Sequence, residues 1–170
     1  SMAKPEIKIQ VKEAVGSSGE TSSTISLTEG LDLPLRVKKK IRADVGDYLI
    51  EQILLAASDA KSIVAGESFP KLSKSYRQYK ESEGLGGKPN LTFEGDLLDA
   101  LKRRYGDDED AIKIGWFGKQ AGKADGHANL SGDSPIPTRR TIPGEGQSFK
   151  PSIRKEIERI IADAIKDEEA

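Results

Sequence analysis

The sequence predicts an α+β domain: a small, mostly antiparallel β-sheet packed by a long N-terminal helix and a C-terminal amphipathic helix, with long flexible loops. Three patterns carry this. Ile7, Ile9 and Val11 alternate with Lys8, Gln10 and Lys12, and Ile112, Ile114 and Trp116 alternate with Lys113 and Gly115, the period of strands with one buried face. Val37, Ile41, Val45, Leu49, Ile53 and Ala56 recur every three or four residues, the period of a helix with one apolar face. Ile153, Ile157, Ile160, Ile161, Ala164 and Ile165 repeat that period near the C-terminus.

At 170 residues the chain fits one domain with a substantial core. Ser1 before Met2 reads as an expression remnant followed by the initiator Met. The 27 Lys and Arg nearly cancel the 28 Asp and Glu, so the net charge of −1 gives no overall attraction to nucleic acid or to an anionic membrane. There is no Cys and one His, which removes disulfides, thiolate metal sites and multi-imidazole sites. No apolar run approaches the roughly 18 residues of a membrane-spanning helix.

In chain order, the first strand is expected from about Glu6 to Glu13. Residues 16 to 24, rich in Gly, Ser and Thr, are too polar to pack and read as a flexible loop or hairpin tip. Asp32-Leu33-Pro34 starts the long helix, with Asp32 placed to accept free backbone N–H groups and Pro34 tolerated in the first turn. That helix is expected to end between Ala60 and Ala65; Lys38, Lys39, Lys40 and Arg42 fall mostly off its apolar stripe, and Gly46 permits close approach of another backbone. Ser73 to Lys80 has the makings of a short helix. Thr92 can cap another, with Leu97, Leu98 and Leu101 on its apolar face and Lys102, Arg103 and Arg104 at its C-terminal end, where cations suit the helix dipole. A strand follows over Ala111 to Phe117, then a loop from Gly118 to Pro135 with almost no apolar residues, a length that marks a functional or flexible segment. Ile136 to Ile142 returns as an interrupted strand, and the last helix runs from about Pro151 to Lys166.

No catalytic constellation emerges from these residues. His127 lacks an oriented partner, so it reads as a surface or interface residue. Asp107-Asp108-Glu109-Asp110 lacks the alternating ligands and central Gly of a calcium loop and reads as a solvated turn. Glu94, Asp96 and Asp99 fit a first helical turn, and Gly84 to Lys88 lacks the spacing of a phosphate loop. Three basic clusters, Lys38 to Lys40, Lys102 to Arg104 and Arg139-Arg140, would together support an alternative reading as a nucleic-acid-binding accessory protein if they shared one face. A small enzyme would need a pocket with converging perturbed groups.

The order of signals resembles the tailed-phage virion-morphogenesis and tail-completion family. The resemblance rests on the long amphipathic helix, the Leu91-Thr92-Phe93-Glu94-Gly95-Asp96-Leu97-Leu98-Asp99-Ala100-Leu101 box, a strand ending near Gly115, a Gly-rich loop with His127 and Asn129, the Pro137-Thr138-Arg139 corner and the apolar C-terminal helix. The chain departs from the family pattern in having Glu94 where Thr is usual, Ala100 where Ser is frequent, and Thr141-Ile142 where an aromatic often follows. The resemblance implies a structural virion protein without enzymatic activity or cofactor. It would form a ring, expected to be hexameric, at the head-proximal end of the tail, contacting neighbouring neck and tail proteins. Genomic DNA would pass through the lumen without sequence-specific contact, and the protein would assemble in the host cytoplasm. Expected assembly contacts are Glu94, Gly95, His127, Asn129, Pro137, Thr138, Arg139 and Arg140.

Overall fold

Strands β1 (Gln10–Gly16) and β2 (Glu20–Ser26) form an antiparallel hairpin. β2 also pairs with β4 (Ala111–Phe117), whose other side takes the short β3 (Lys102–Arg104). The sheet is therefore antiparallel throughout, in the order β1-β2-β4-β3. Among the described residues, helices α1 (Leu35–Ser58) and α2 (Pro151–Glu169) pack with the sheet in an α+β fold. The computed structural model describes residues 6–58, 61–67, 100–118, 121 and 141–169.

The expected first strand is shifted towards the C-terminus, and its alternation explains why. Ile7 and Ile9 lie against the core and Val11 stands opposite Ile25, but a bulge between Val11 and Glu13 inserts Lys12 and reverses the parity. Beyond it Ala14 takes the inward position opposite Ser23, which a strict two-residue pattern does not anticipate. The hairpin closes through Ser17, whose hydroxyl donates to the Glu20 carbonyl at 3.0 Å and accepts from the Glu20 N–H at 3.1 Å.

Glu20–Ser26 corrects the expectation of a flexible loop over residues 16 to 24: it is an interior strand. Thr21, Ser23 and Ile25 stand opposite Trp116, Ile114 and Ile112, and all six are buried. The hydroxyls survive there because each has an acceptor. Thr21 Oγ1 donates to the Ala121 carbonyl at 2.6 Å, and Ser23 Oγ donates to the Pro143 carbonyl. On the opposite face Gly115 is required: a Cβ there would lie 2.1 Å from the Thr21 carbonyl oxygen and 2.6 Å from Ser22 Cα.

In α1, Val37, Ile41, Val45, Leu49 and Ile53 are buried at four-residue intervals. Each step advances about 40° beyond a full turn, so the apolar line winds around the helix. That winding suits an element that meets β4 and β3 as well as α2. The Pro34 carbonyl accepts from Val37 N at 3.0 Å and Lys38 N at 3.2 Å, whereas Asp32 makes no capping bond among the described residues. The helix is described as far as Ser58; residues 59 and 60, where its expected end begins, lie outside the described residues, and Lys61 N bonds back to the Ala56 carbonyl at 2.7 Å. α2 starts at Pro151, where the missing N–H costs nothing, and buries Ile153, Ile157, Ile161, Ala164 and Ile165. Each fully buried Ile or Leu contributes on the order of 1.5–3 kcal/mol.

Lys102, Arg103 and Arg104 do not end a helix; they form the edge strand β3. A sheet edge accommodates cations as readily as a helix C-terminus does. Of the expected returning strand from Ile136 to Ile142 only Thr141 and Ile142 lie within the described residues, and both are buried and in a bend. The segment before α2 is tied instead by the Val64–Phe149 bridge and by Lys150 N bonding the Ile63 carbonyl at 2.8 Å. The helices expected near Ser73 and Thr92 lie outside the described residues, as does the Gly118 to Pro135 loop apart from Gly118 and Ala121.

Gly115→Ala is expected to lower the unfolding free energy in urea by about 3 kcal/mol, because backbone must move. Gly46→Ala should stay within about 1 kcal/mol of the parent, since the helix-propensity gain offsets displacement of Arg103 and Ile112 side-chain atoms. Equal effects at the two sites would contradict the packing described.

Candidate functional site

Charged groups from four parts of the chain converge on the turn between β3 and β4. The β1 bulge releases Lys12 from the regular register, and its ammonium reaches Asp108 at 3.0 Å and Glu29 at 3.5 Å. On α1, Lys38 and Arg42 are four residues apart and so share a face. Lys38 pairs with Glu109 at 2.9 Å and Asp110 at 3.0 Å, its side chain only 10% exposed. The turn is braced by Asp108 Oδ1, which accepts the Asp110 N–H at 2.9 Å. It is anchored through the Asp110 carbonyl, which accepts from Leu27 N and Thr28 N at 2.8 and 3.2 Å, while Thr28 Oγ1 donates to Asp110 Oδ1 at 2.6 Å.

The acidic run is the exposed turn that the sequence predicts and also a counter-ion for cations of β1 and α1. Lys38 and Arg42, expected off the apolar stripe, are both buried. The Asp110 N–H and then the Lys12 ammonium hold the Asp108 carboxyl below its ordinary range. Hydrogen bonds from Lys38 to Glu109 and then Asp110 raise the Lys38 pKa despite burial. Beside the turn lies an open cleft of about 400 Å³ whose lining includes Lys12, Glu13, Thr24, Asp107, Asp108 and Lys113. Both signs of charge face it, and among the described residues no three acidic or His side chains converge to hold a metal ion.

Two of the basic clusters can be located, and they are largely used internally. Lys40 pairs with Asp44 at 2.7 Å, and Arg103 bonds the Ala43 carbonyl at 2.9 Å and pairs with Asp47. Arg104 lies over the Phe117 ring at 4.1 Å, on the face opposite the buried Trp116. The expected assembly contacts Glu94, Gly95, His127, Asn129, Pro137, Thr138, Arg139 and Arg140 all lie outside the described residues. The charged seam was missed in the sequence because its partners are far apart along the chain, Lys38 and Glu109 by 71 positions. Its one local signal is that Lys38 and Arg42 directly adjoin Val37 and Ile41 on the helix.

Because the Asp108 pKa is lowered in the fold, its stabilisation is present above the unfolded value near 4 and is lost as pH falls through the folded value. The side chain is 41% exposed, so solvent screening limits the effect to about 1 kcal/mol at most. Asp108→Asn should therefore be slightly less stable than the parent at pH 7, with the gap closing below about pH 4. A gap that persists unchanged at low pH in chemical denaturation would contradict this.

A scan against family models, a search of curated proteins and a search of solved structures each find no match.

Proposed function

We propose that this chain is a structural virion protein of a tailed bacteriophage or prophage, a tail-completion component that forms a ring at the head-proximal end of the tail and joins tail to head. The observation that carries the reading is the succession along the chain: a long amphipathic helix, the Leu91 to Leu101 box, a strand ending near Gly115, a Gly-rich stretch with His127 and Asn129, the Pro137-Thr138-Arg139 corner and an apolar C-terminal helix. The α+β architecture is compatible with it. β1 and β3 are the outer strands of the sheet, and such edges are surfaces that neighbouring subunits can use.

In this reading the partners are copies of the same chain in a hexameric ring and the adjoining neck and tail proteins. DNA passes through the lumen without sequence-specific contact. Arg139 donates a fork of hydrogen bonds to a carboxylate or to backbone carbonyls of a neighbour, and Glu94, Gly95, His127, Asn129, Pro137, Thr138 and Arg140 belong to the same contacts. The alternative of a nucleic-acid-binding accessory protein is less well supported, because Lys38, Lys40 and Arg103 already have carboxylate partners within the fold.

Inactivating the gene in its parent phage or prophage should leave filled heads separated from free or defective tails in negative-stain images. Complementation with Arg139→Ala should restore soluble, folded protein but not joined particles. Intact virions from the inactivated gene would reject the neck role; normal joining by the Arg139→Ala protein would reject the contact assigned to that residue.

A further inference from the structure

The β3 edge of the sheet, unpaired among the described residues, combines two features that point to one kind of partner. Among the described residues β3 pairs with β4 on one side only, and its outward backbone groups have no partner there. Lys102 and Arg104 alternate on one face of this edge, exposed and without a carboxylate partner among the described residues. Residues two apart on a strand are separated by about 6.6 Å, the same repeat as alternate side chains on any strand laid alongside.

The second feature lies at the end of the same edge. Tyr105, directly after β3, is 47% exposed and covers the Arg42 guanidinium, with 4.8 Å between the guanidinium carbon and the ring centroid. Arg42 is only 7% exposed, its Nε is buried with no acceptor, and it makes no hydrogen bond or ion pair among the described residues. A guanidinium cannot shed its proton, so its donors call for acceptors. The nearby Asp108, Glu109 and Asp110, with Lys12 and Lys38 set against them, leave no excess positive charge for a further anion. An acceptor that suits Arg42 is therefore neutral, such as a peptide carbonyl.

We propose that the β3 edge receives an extended peptide segment of another protein chain, added antiparallel or parallel as a further strand. Its acidic side chains at alternate positions meet Lys102 and Arg104, and a main-chain carbonyl at its end meets Arg42 beside Tyr105. This asks only for a protein partner and stands whether or not the tail-completion reading holds. Charged side chains on a short edge also serve simply to keep other strands away, and the test separates the two roles.

The probe is a synthetic peptide alternating Glu with Val, titrated into the full chain and followed by the backbone amide signals of Lys102–Arg104 and the side-chain Nε–H signal of Arg42. Saturable shifts at both places are expected, with affinity reduced at least tenfold by the double substitution Lys102→Glu and Arg104→Glu. The same peptide N-methylated at alternate residues, which cannot extend the ladder, should also lose at least tenfold on the unaltered protein, so the test does not depend on the variant folding. No saturable shift, or equal binding of the methylated peptide, would overturn the proposal and leave the cations as guards of the edge. A DNA duplex that shifts the same signals at lower concentration than the peptide would overturn it in favour of a polyanion surface.

Discussion

Everything in the sheet depends on a strand whose side chains are mostly hydroxyls. β2 holds β1 on one side and β4 on the other, and among the described residues β3 is attached only through β4. Its inward positions include Thr21 and Ser23, groups that are costly to bury without acceptors. The fold supplies those acceptors from distant chain, the Ala121 and Pro143 carbonyls. These bonds also tie the ends of the long segment between β4 and α2 to the sheet. Small side chains have a second use here: the backbone of β4 approaches β2 closely enough at Gly115 that no Cβ fits.

A charged seam holds the helical layer to the same sheet from another direction. Burying Lys38 beside the β3–β4 turn is tolerable only because Glu109 and Asp110 arrive with it. The bulge in β1 adds Lys12 to the seam from the far side of β2. The turn is therefore fixed both by backbone bonds to Leu27 and Thr28 and by cations of two elements. This fixes the position of β3 and Tyr105 at the edge, where Arg42 is left with donors to spare.

Elements with strong apolar periods were legible in the sequence. The stripes of α1 and α2 and the alternation in β4 depend on one buried face each, and the structure places them as the spacing predicts. β2 was not legible, because Glu20-Thr21-Ser22-Ser23-Thr24 has the composition of a loop and its role as a strand rests on acceptors about a hundred residues away. Lys102 to Arg104 was misassigned for a different reason: a run of cations suits a helix end and a sheet edge equally. Arg42 and Lys38 look like solvent-facing charges until the turn that covers them is known. The expected assembly contacts came from a family resemblance rather than from local physics, and the described residues include none of them.

Among the described residues no helix is long and apolar enough to cross a membrane. The central structural claim is that the Ser and Thr segment after the hairpin tip is the interior strand of the sheet. Backbone amide hydrogen exchange tests it most directly. The Glu20–Ser26 amides should exchange in the same slow class as those of Ala111–Phe117. Exchange of Glu20–Ser26 at the rate of an exposed loop, with Ala111–Phe117 still protected, would contradict the account.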